Sequence, residues 1–442
     1  MRPVPVDQFK MGNDALIIDH PRRRELNDEV HARPPGSLAT PCELSYLVRV
    51  TPPAAEDDQR TALLADLVAR LGGPAPRSGD NHYTAEFDKL RLRWERHTEF
   101  ARYSFITEQC NEAPFDAPPI RRVPDDWLAN MQGELLVAVH ASVVEDRDET
   151  PDFDAISSRY FDGNMLIGSR IADGAAIVLT DLWIREDGYT RLLLLNRSMS
   201  ATQCGRNMQR LLEIETYRMM MLLALPVARE LSPVLDRSER ELTSISEGLV
   251  KSESQHEQAM LKRLTTLAAE NQTRHLKSDY RFAAANAYYE IVQQRIRELR
   301  EGRIPGLQTF EEFNSRRLKP AFKTFQAVAA RQQSLVLRMA RATQLLSTRV
   351  DITRQQQNQA LLASMNRRAE FQLRLQATVE GLSVAAVTYY VVSLIGILVE
   401  SLIESGLPLN RALIMIASVP VVALVAYAGM RRIRAGITRR SK

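Results

Sequence analysis

The chain has 442 residues, 25% charged and 45% hydrophobic, a folded-protein composition that excludes a disordered or fibrous polymer. Its formal net charge of +4 is too small to mark a polyanion partner, so no nucleic acid is expected. Cys42, Cys110 and Cys204 lie far apart without CxxC spacing, which argues against a zinc cage or disulfide framework and predicts ordinary buried thiols.

In chain order, "MRPVPVDQFK" has no continuous apolar run, so a secretory signal peptide is not expected. Residues 20–35, "HPRRRELNDEVHARPP", read as a short helix. Asp19 and Pro21 suit its start, Leu26 and Val30 form an apolar pair, and Pro34-Pro35 stop it. Arg24 is spaced to pair with Asp28, Arg22 with Glu25, and His31 with Asn27 or Asp28. His20 and His31 are too far apart on such a helix to share a metal. Arg22, Arg23 and Arg24 crowd the positive end of the helix dipole, which suits an acidic partner surface such as another subunit. A packing or docking helix therefore fits better than a catalytic site.

Residues 1–199 read as a mixed α/β domain. "CELSYLVRVT" alternates apolar and polar residues at period two and predicts a half-buried strand with Glu43, Ser45 and Arg49 outward. Leu63, Leu64, Leu67, Val68 and Leu71 recur at helical spacing until Gly72-Gly73-Pro74. Further strands are predicted at 83–88, 90–97, 102–107, 133–144, 164–172, 175–184 and 189–196, with hairpin signals in "ADGA" and "EDGY".

Residues 200–380 predict a stalk of long helices in an antiparallel hairpin. Ser200 with Gln203, and Thr309 with Glu312, form candidate capping boxes, and Pro226 and Pro233 are expected to interrupt the first helix. From Asp236 to Arg303 the chain lacks proline, so a single helix of roughly 100 Å is the expectation. Phe322, Phe325, Ala329, Val336, Met339, Leu346 and Val350 fit a coiled-coil-like apolar seam that Gln332 and Thr343 break, and the pattern fails over "TRQQQNQA".

Residues 381–430 hold two apolar runs. The first, 382–403, spans roughly 33 Å as a helix, enough to cross a hydrocarbon core. The second, 412–430, carries no charge, and its Pro420 is tolerable inside a bilayer. A two-helix transmembrane hairpin follows. Arg431, Arg432, Arg434, Arg439, Arg440 and Lys442 in the tail 431–442, with Arg367, Arg368 and Arg374 before the first span, place both ends in the cytoplasm.

No phosphate loop, dinucleotide fingerprint, HExxH or GxSxG elbow is present, so no catalytic residue and no cofactor are assigned. The acidic run 145–154 departs from the calcium-loop spacing and reads as a solvated loop. Glu400 and Glu404 sit four apart near the outer end of the first span. In a symmetric oligomer they would ring a pore mouth and attract a divalent cation, whereas in a plain anchor both reach the wet interface.

"HPRRRELNDEVHARPP" and "RLQATVEGLSVAAVTYYVVSLIG", residues 374–396, resemble a bacterial family of uncharacterised membrane-anchored proteins, a domain of unknown function. That resemblance covers essentially the whole chain and implies an inner-membrane protein. It supplies no catalytic residues. The layout is also similar to that of CorA-like magnesium channels, but their Gly-Met-Asn signature is replaced here by "ESLIESGLPLN". The resulting expectation is an α+β protein, with a cytosolic mixed α/β head, a long helical stalk and a transmembrane hairpin. It would act as a homo-oligomeric interaction or scaffold protein at the lipid bilayer, with a CorA-like divalent-cation channel as the alternative.

Overall fold

The structure is a computed structural model that describes residues 20–24, 26–27, 36–51, 57–77, 79–108, 113–146, 151–251, 256–404 and 410–440. Two compact units emerge: Met1–Gly248 with Arg263–Arg341, and Leu249–Lys262 with Ala342–Lys442.

The first unit is α+β, built on one eight-stranded sheet. Its strands are β1 (Cys42–Val50), β2 (His82–Phe87), β3 (Leu90–Arg96), β4 (Phe100–Glu108), β5 (Glu134–Glu145), β6 (Ile167–Ile171), β7 (Ala176–Thr180) and β8 (Thr190–Asn196), in the order β2-β3-β4-β1-β5-β8-β7-β6. All neighbours pair antiparallel except β5 and β8. A parallel pair needs a crossover, which the helix α3 (Phe153–Tyr160) and the β6–β7 hairpin supply. "ADGA" turns that hairpin with Ala172, Asp173 and Gly174 all at positive φ.

Seven predicted strands and "CELSYLVRVT" all form, with two differences. β1 is not half-buried. It lies inside the sheet with both faces covered, so Glu43 and Ser45 are buried, taking partners from Ser142 and His140 of β5. β7 ends at Thr180, four residues early, because the buried Asp181 side chain binds Asn164 at 2.9 Å and Arg185 at 2.9 Å and draws the chain out of the sheet.

One face of the sheet packs Leu47, Leu92, Trp94, Tyr103 and Phe105 against Leu64, Leu67 and Val68 of α1 (Asp57–Arg70) and Trp127 of α2 (Asp125–Ala129). Burying side chains of this kind contributes about 1.5–3 kcal/mol each. The opposite face carries α4 (Ala201–Leu222), started by the predicted capping box. The Gln203 amide N–H donates to Ser200 Oγ at 3.3 Å, and the Ser200 N–H to Gln203 Oε1 at 2.9 Å. Tyr46 of β1 donates to Thr216 of α4 at 2.8 Å, the threonine hydroxyl being spent on the Leu212 carbonyl.

α4 lies so close to the segment before β1 that a Cβ on Gly205 would stand 1.6 Å from the Gly36 carbonyl oxygen. The Leu38 N–H donates to the Ala201 carbonyl at 3.0 Å beside this contact. Gly205→Ala is therefore expected to cost about 1–3 kcal/mol by forcing the two segments apart, measurable as a lowered urea midpoint.

Two helix expectations change. Pro233 lies inside α5 (Ala224–Lys251) rather than stopping it, while Pro226 falls in its first turn, where a missing N–H costs little. Nor does one helix run from Asp236 to Arg303. α5 ends at Lys251 and α6 (Glu257–Leu299) begins at Glu257. Asn271 of α6 donates to Ser238 of α5 at 3.1 Å, although in one straight helix these residues would be roughly 50 Å apart. α6 also ties down the start of β4, where the buried Glu99 carboxylate accepts from Arg281 and Tyr288.

α7 (Phe310–Glu404) opens on the predicted Thr309–Glu312 box, at 3.1 and 3.3 Å. Within the first unit it runs antiparallel to α6. Tyr289 stacks on Phe322 at 3.8 Å, Phe282 on Phe325 at 6.2 Å, and Ser278 donates to Gln332 at 2.9 Å. Gln332, which breaks the apolar seam in the sequence, is 1% exposed and satisfied by that bond.

In the second unit, Glu257 pairs with Arg349 at 2.6 Å, and the last part of α7 is followed by α8 (Arg411–Arg440). Of the opening stretch, residues 20–24 and 26–27 are described: Leu26 is exposed and its N–H donates to the Arg22 carbonyl at 2.9 Å. The contacts expected of Glu25, Asp28, Val30 and His31, the Pro34-Pro35 stop and Cys110 lie outside the described residues.

Candidate functional site

Strand β3, "LRLRWER", places Leu90, Leu92 and Trp94 on the packed face and Arg91, Arg93 and Glu95 together on the other. There α4 bridges over the sheet without filling the space beneath it. A cavity of about 380 Å³ remains, floored by β1–β4, roofed by Met208, Gln209 and Leu212, and closed at one end by Gly36 and Leu38.

The floor of this cavity is a charge network. Glu95, 2% exposed, holds Arg93 through Oε1 at 2.7 Å and Arg102 of β4 through Oε2. Burial raises the Glu95 pKa, but the charges of Arg102 and Arg93 more than reverse this and hold its carboxyl below the usual range. Arg102 also faces Glu213 of α4 at 3.5 Å, and Arg295 of α6 closes on Glu213 and Glu298. Arg91, at the outer edge, is held by Glu86 and Glu108 at 2.9 Å each and by the Ser37 carbonyl at 2.8 Å. None of these residues belongs to a motif that sequence reading singled out. The signal was present as the polar half of β3's alternation, which reads equally well as a wet sheet face.

A second cluster has the members of a catalytic triad but not its access. Ser45 Oγ lies 3.0 Å from His140 Nδ1, and His140 Nε2 lies 4.0 Å from Asp187. Ser45 is 0% exposed, its oxygen also accepts from the Ile120 N–H, and Tyr189 covers the imidazole at 3.8 Å. A nucleophile must reach a substrate carbonyl, and this hydroxyl reaches only protein. The trio is a packing device.

Among the described residues no three His, Cys, Asp or Glu side chains converge to hold a metal ion. In the acidic run, Asp146 pairs with Arg197 at 2.8 Å and Asp152 caps α3 through the Ala155 N–H at 3.0 Å, with 147–150 outside the described residues. Cys42 and Cys204 are buried, and burial pushes the Cys204 thiol up to about 11 and Cys42 higher still. Iodoacetamide at pH 8 should leave both unmodified in the folded protein, as read by peptide mass spectrometry; rapid labelling of Cys204 would contradict this packing.

In the second unit, the end of α7 and the segment Arg411–Arg432 are long and apolar enough to cross a membrane, each with a mean hydropathy of 2.2. The most apolar windows are 11% and 0% buried, so side chains such as Leu382, Tyr389, Ile416 and Leu424 face outward. Glu400 is paired with Arg411 at 2.8 Å. Glu404 is the last residue of α7, and its side chain lies outside the described residues, as do residues 405–409.

Fold and site thus define an α+β protein with an arginine-rich cavity and two apolar C-terminal helices. The chain belongs to the family described as protein of unknown function (DUF3422), whose model matches residues 18–437. No curated protein and no solved structure matches it.

Proposed function

We propose that the chain is a membrane-anchored interaction or scaffold protein of the bacterial inner membrane, homo-oligomeric and with its α+β unit in the cytosol. The observation that carries this reading is the pair of apolar helices whose side chains are left uncovered. A soluble core helix buries such residues, whereas lipid solvates them at no cost. Pro420 inside α8 fits the same setting, since a bilayer helix stays hydrogen-bonded around a proline with help from its neighbours. The exposed apolar lengths are also the surfaces through which copies would associate in the bilayer.

The arginines after the second segment and before the first favour a hairpin with both ends inside. The Glu400–Arg411 pair supports an anchor over a channel, because a neutralised carboxylate draws cations weakly. The full chain is expected to remain in the membrane pellet after carbonate washing and to require detergent for extraction. Alkaline phosphatase fused after Lys442 should be silent, and the same enzyme inserted between 405 and 409 should be active. A freely soluble chain, or an active C-terminal fusion, would refute the reading. Divalent-cation flux into proteoliposomes should not exceed that of empty liposomes. Flux lost in Glu400→Gln with Glu404→Gln would replace the scaffold with a channel.

A further inference from the structure

We propose that the cavity between the sheet and α4 is a binding site for a small amphipathic organic anion, its acidic group on Arg93 and its apolar body beneath α4. Size is the first argument. About 380 Å³ lies within the range of small-molecule sites and exceeds what interior packing normally leaves empty. The space is also too small and too apolar to be a groove for a folded partner.

Charge selects the ligand's sign through one residue. Arg91 is neutralised by Glu86 and Glu108 and Arg102 by Glu95 and Glu213, which leaves Arg93 as the lining guanidinium with a donor to spare. Both Glu95 oxygens are already engaged, one by Arg93 and one by Arg102, so the carboxylate cannot serve as a cation ligand without releasing an arginine. Arg93 uses its Nε and Nη2 on Glu95, and among the described residues its Nη1 has no hydrogen-bond partner. Guanidinium donors left open in a partly dry cavity attract a carboxylate or phosphate strongly, because little water competes for them.

The walls add a second requirement. Leu38, Leu44, Ile106, Met208 and Leu212 supply apolar surface, so an inorganic anion would leave most of the volume unfilled. Gln209 supplies a further polar point. Its Nε2 is fixed to Glu213 Oε1 at 2.8 Å, which prevents the amide from flipping, since the flip would set oxygen against carboxylate oxygen. Its Oε1 is buried and has no partner among the described residues. A buried acceptor of this kind costs about 1–3 kcal/mol while unmet.

The test uses the full chain in lipid nanodiscs, empty discs as blank, and three probes of one shape: 4-phenylbutyrate, 4-phenylbutanol and 4-phenylbutylamine. Calorimetry should show the carboxylate binding at least tenfold more tightly than the alcohol, and the amine not binding. Arg93→Gln should weaken the carboxylate about tenfold, and Arg93→Lys should weaken it too, since one ammonium cannot hold Glu95 and a ligand in the geometry of a guanidinium fork. Thr84→Trp, at an exposed position on the cavity rim, should abolish binding without changing the melting temperature. Equal binding of the three probes overturns the proposal. So does an unchanged Arg93→Gln, or no carboxylate binding at millimolar concentration. Binding is read whether or not the chain needs a lipid disc, so this failure is distinct from failure of the membrane reading.

Discussion

Arg102→Met should lower the stability of the α+β unit by about 3–5 kcal/mol, the usual cost of removing one partner from a buried ion pair. Arg102 is 8% exposed and touches two carboxylates that are themselves buried, Glu95 and Glu213. Burial acts to lower its pKa, yet Tyr46, Glu95 and Glu213 raise it well above the ordinary value, so the guanidinium stays charged. Methionine has a similar length and fills the space, which isolates the electrostatic loss from a cavity effect. Arg93 and Arg295 still hold one carboxylate each, so the loss should fall toward the lower end of that range. Urea unfolding followed by the fluorescence of buried Trp94 and Trp127 measures it. Adding Glu95→Gln to Arg102→Met should recover part of the loss, because a neutral amide is cheaper to leave buried than a charge. A loss under about 1 kcal/mol would show that Arg102 is hydrated in solution and that the cavity floor is wetter than drawn.

β2 and β3 were legible from period-two alternation, β7 and β8 as short apolar runs bounded by turn signals, and both capping boxes because their spacing is a local hydrogen-bond geometry. Burial of β1 on both faces was not legible. It depends on β1 lying between β4 and β5, a non-local pairing that no local pattern encodes. The same holds for the cavity. Arg91, Arg93 and Glu95 alternate as a solvent face would, and only the return of α4 over β3 and β4 converts that face into an interior. Gln332 misled for the opposite reason. A polar residue in an apolar seam reads as a break until Ser278, 54 residues earlier, proves to be its partner. The sequence from 249 to 257, where α5 ends and α6 begins, carries neither proline nor glycine, so composition alone gives no reason to stop the helix there. The apolar C-terminal segments were the most legible feature, since length and hydropathy are local properties.

His140 should impose an acid limb on stability between pH 6.5 and about 4. Burial pushes its pKa from 6.5 down to about 4, with Arg191 and Arg121 adding in the same direction and Asp187 opposing. The groups around it are Ser45 at 3.0 Å, Asp187 at 4.0 Å and the Tyr189 ring at 3.8 Å. The Ile120 N–H already donates to Ser45 Oγ, so the serine hydroxyl is free to donate to Nδ1, which sets the imidazole proton on Nε2, toward Asp187. Protonating Nδ1 would turn the serine hydroxyl from donor to acceptor and would place a net charge in a site sealed from water. The folded state therefore binds the proton more weakly than the unfolded chain. Above pH 6.5 both states hold a neutral imidazole and the contribution is complete. As pH falls from 6.5 to 4 only the unfolded chain takes up the proton, so stability drops by up to about 1.4 kcal/mol per pH unit and about 3 kcal/mol in all. Below pH 4 both states are protonated and this limb flattens. Glu95, held below the usual carboxylate range, starts to lose its own contribution as pH falls through the ordinary carboxylate pKa of 4.5, so the His140 limb is read above about pH 5. Urea midpoints at half-unit intervals from pH 7.5 to 4 would trace the limb. His140→Gln keeps an acceptor for Ser45 but cannot titrate, and should remove most of it. If the variant retains the same acid limb, the proton is taken up elsewhere and the neutral, packed His140 is not its origin.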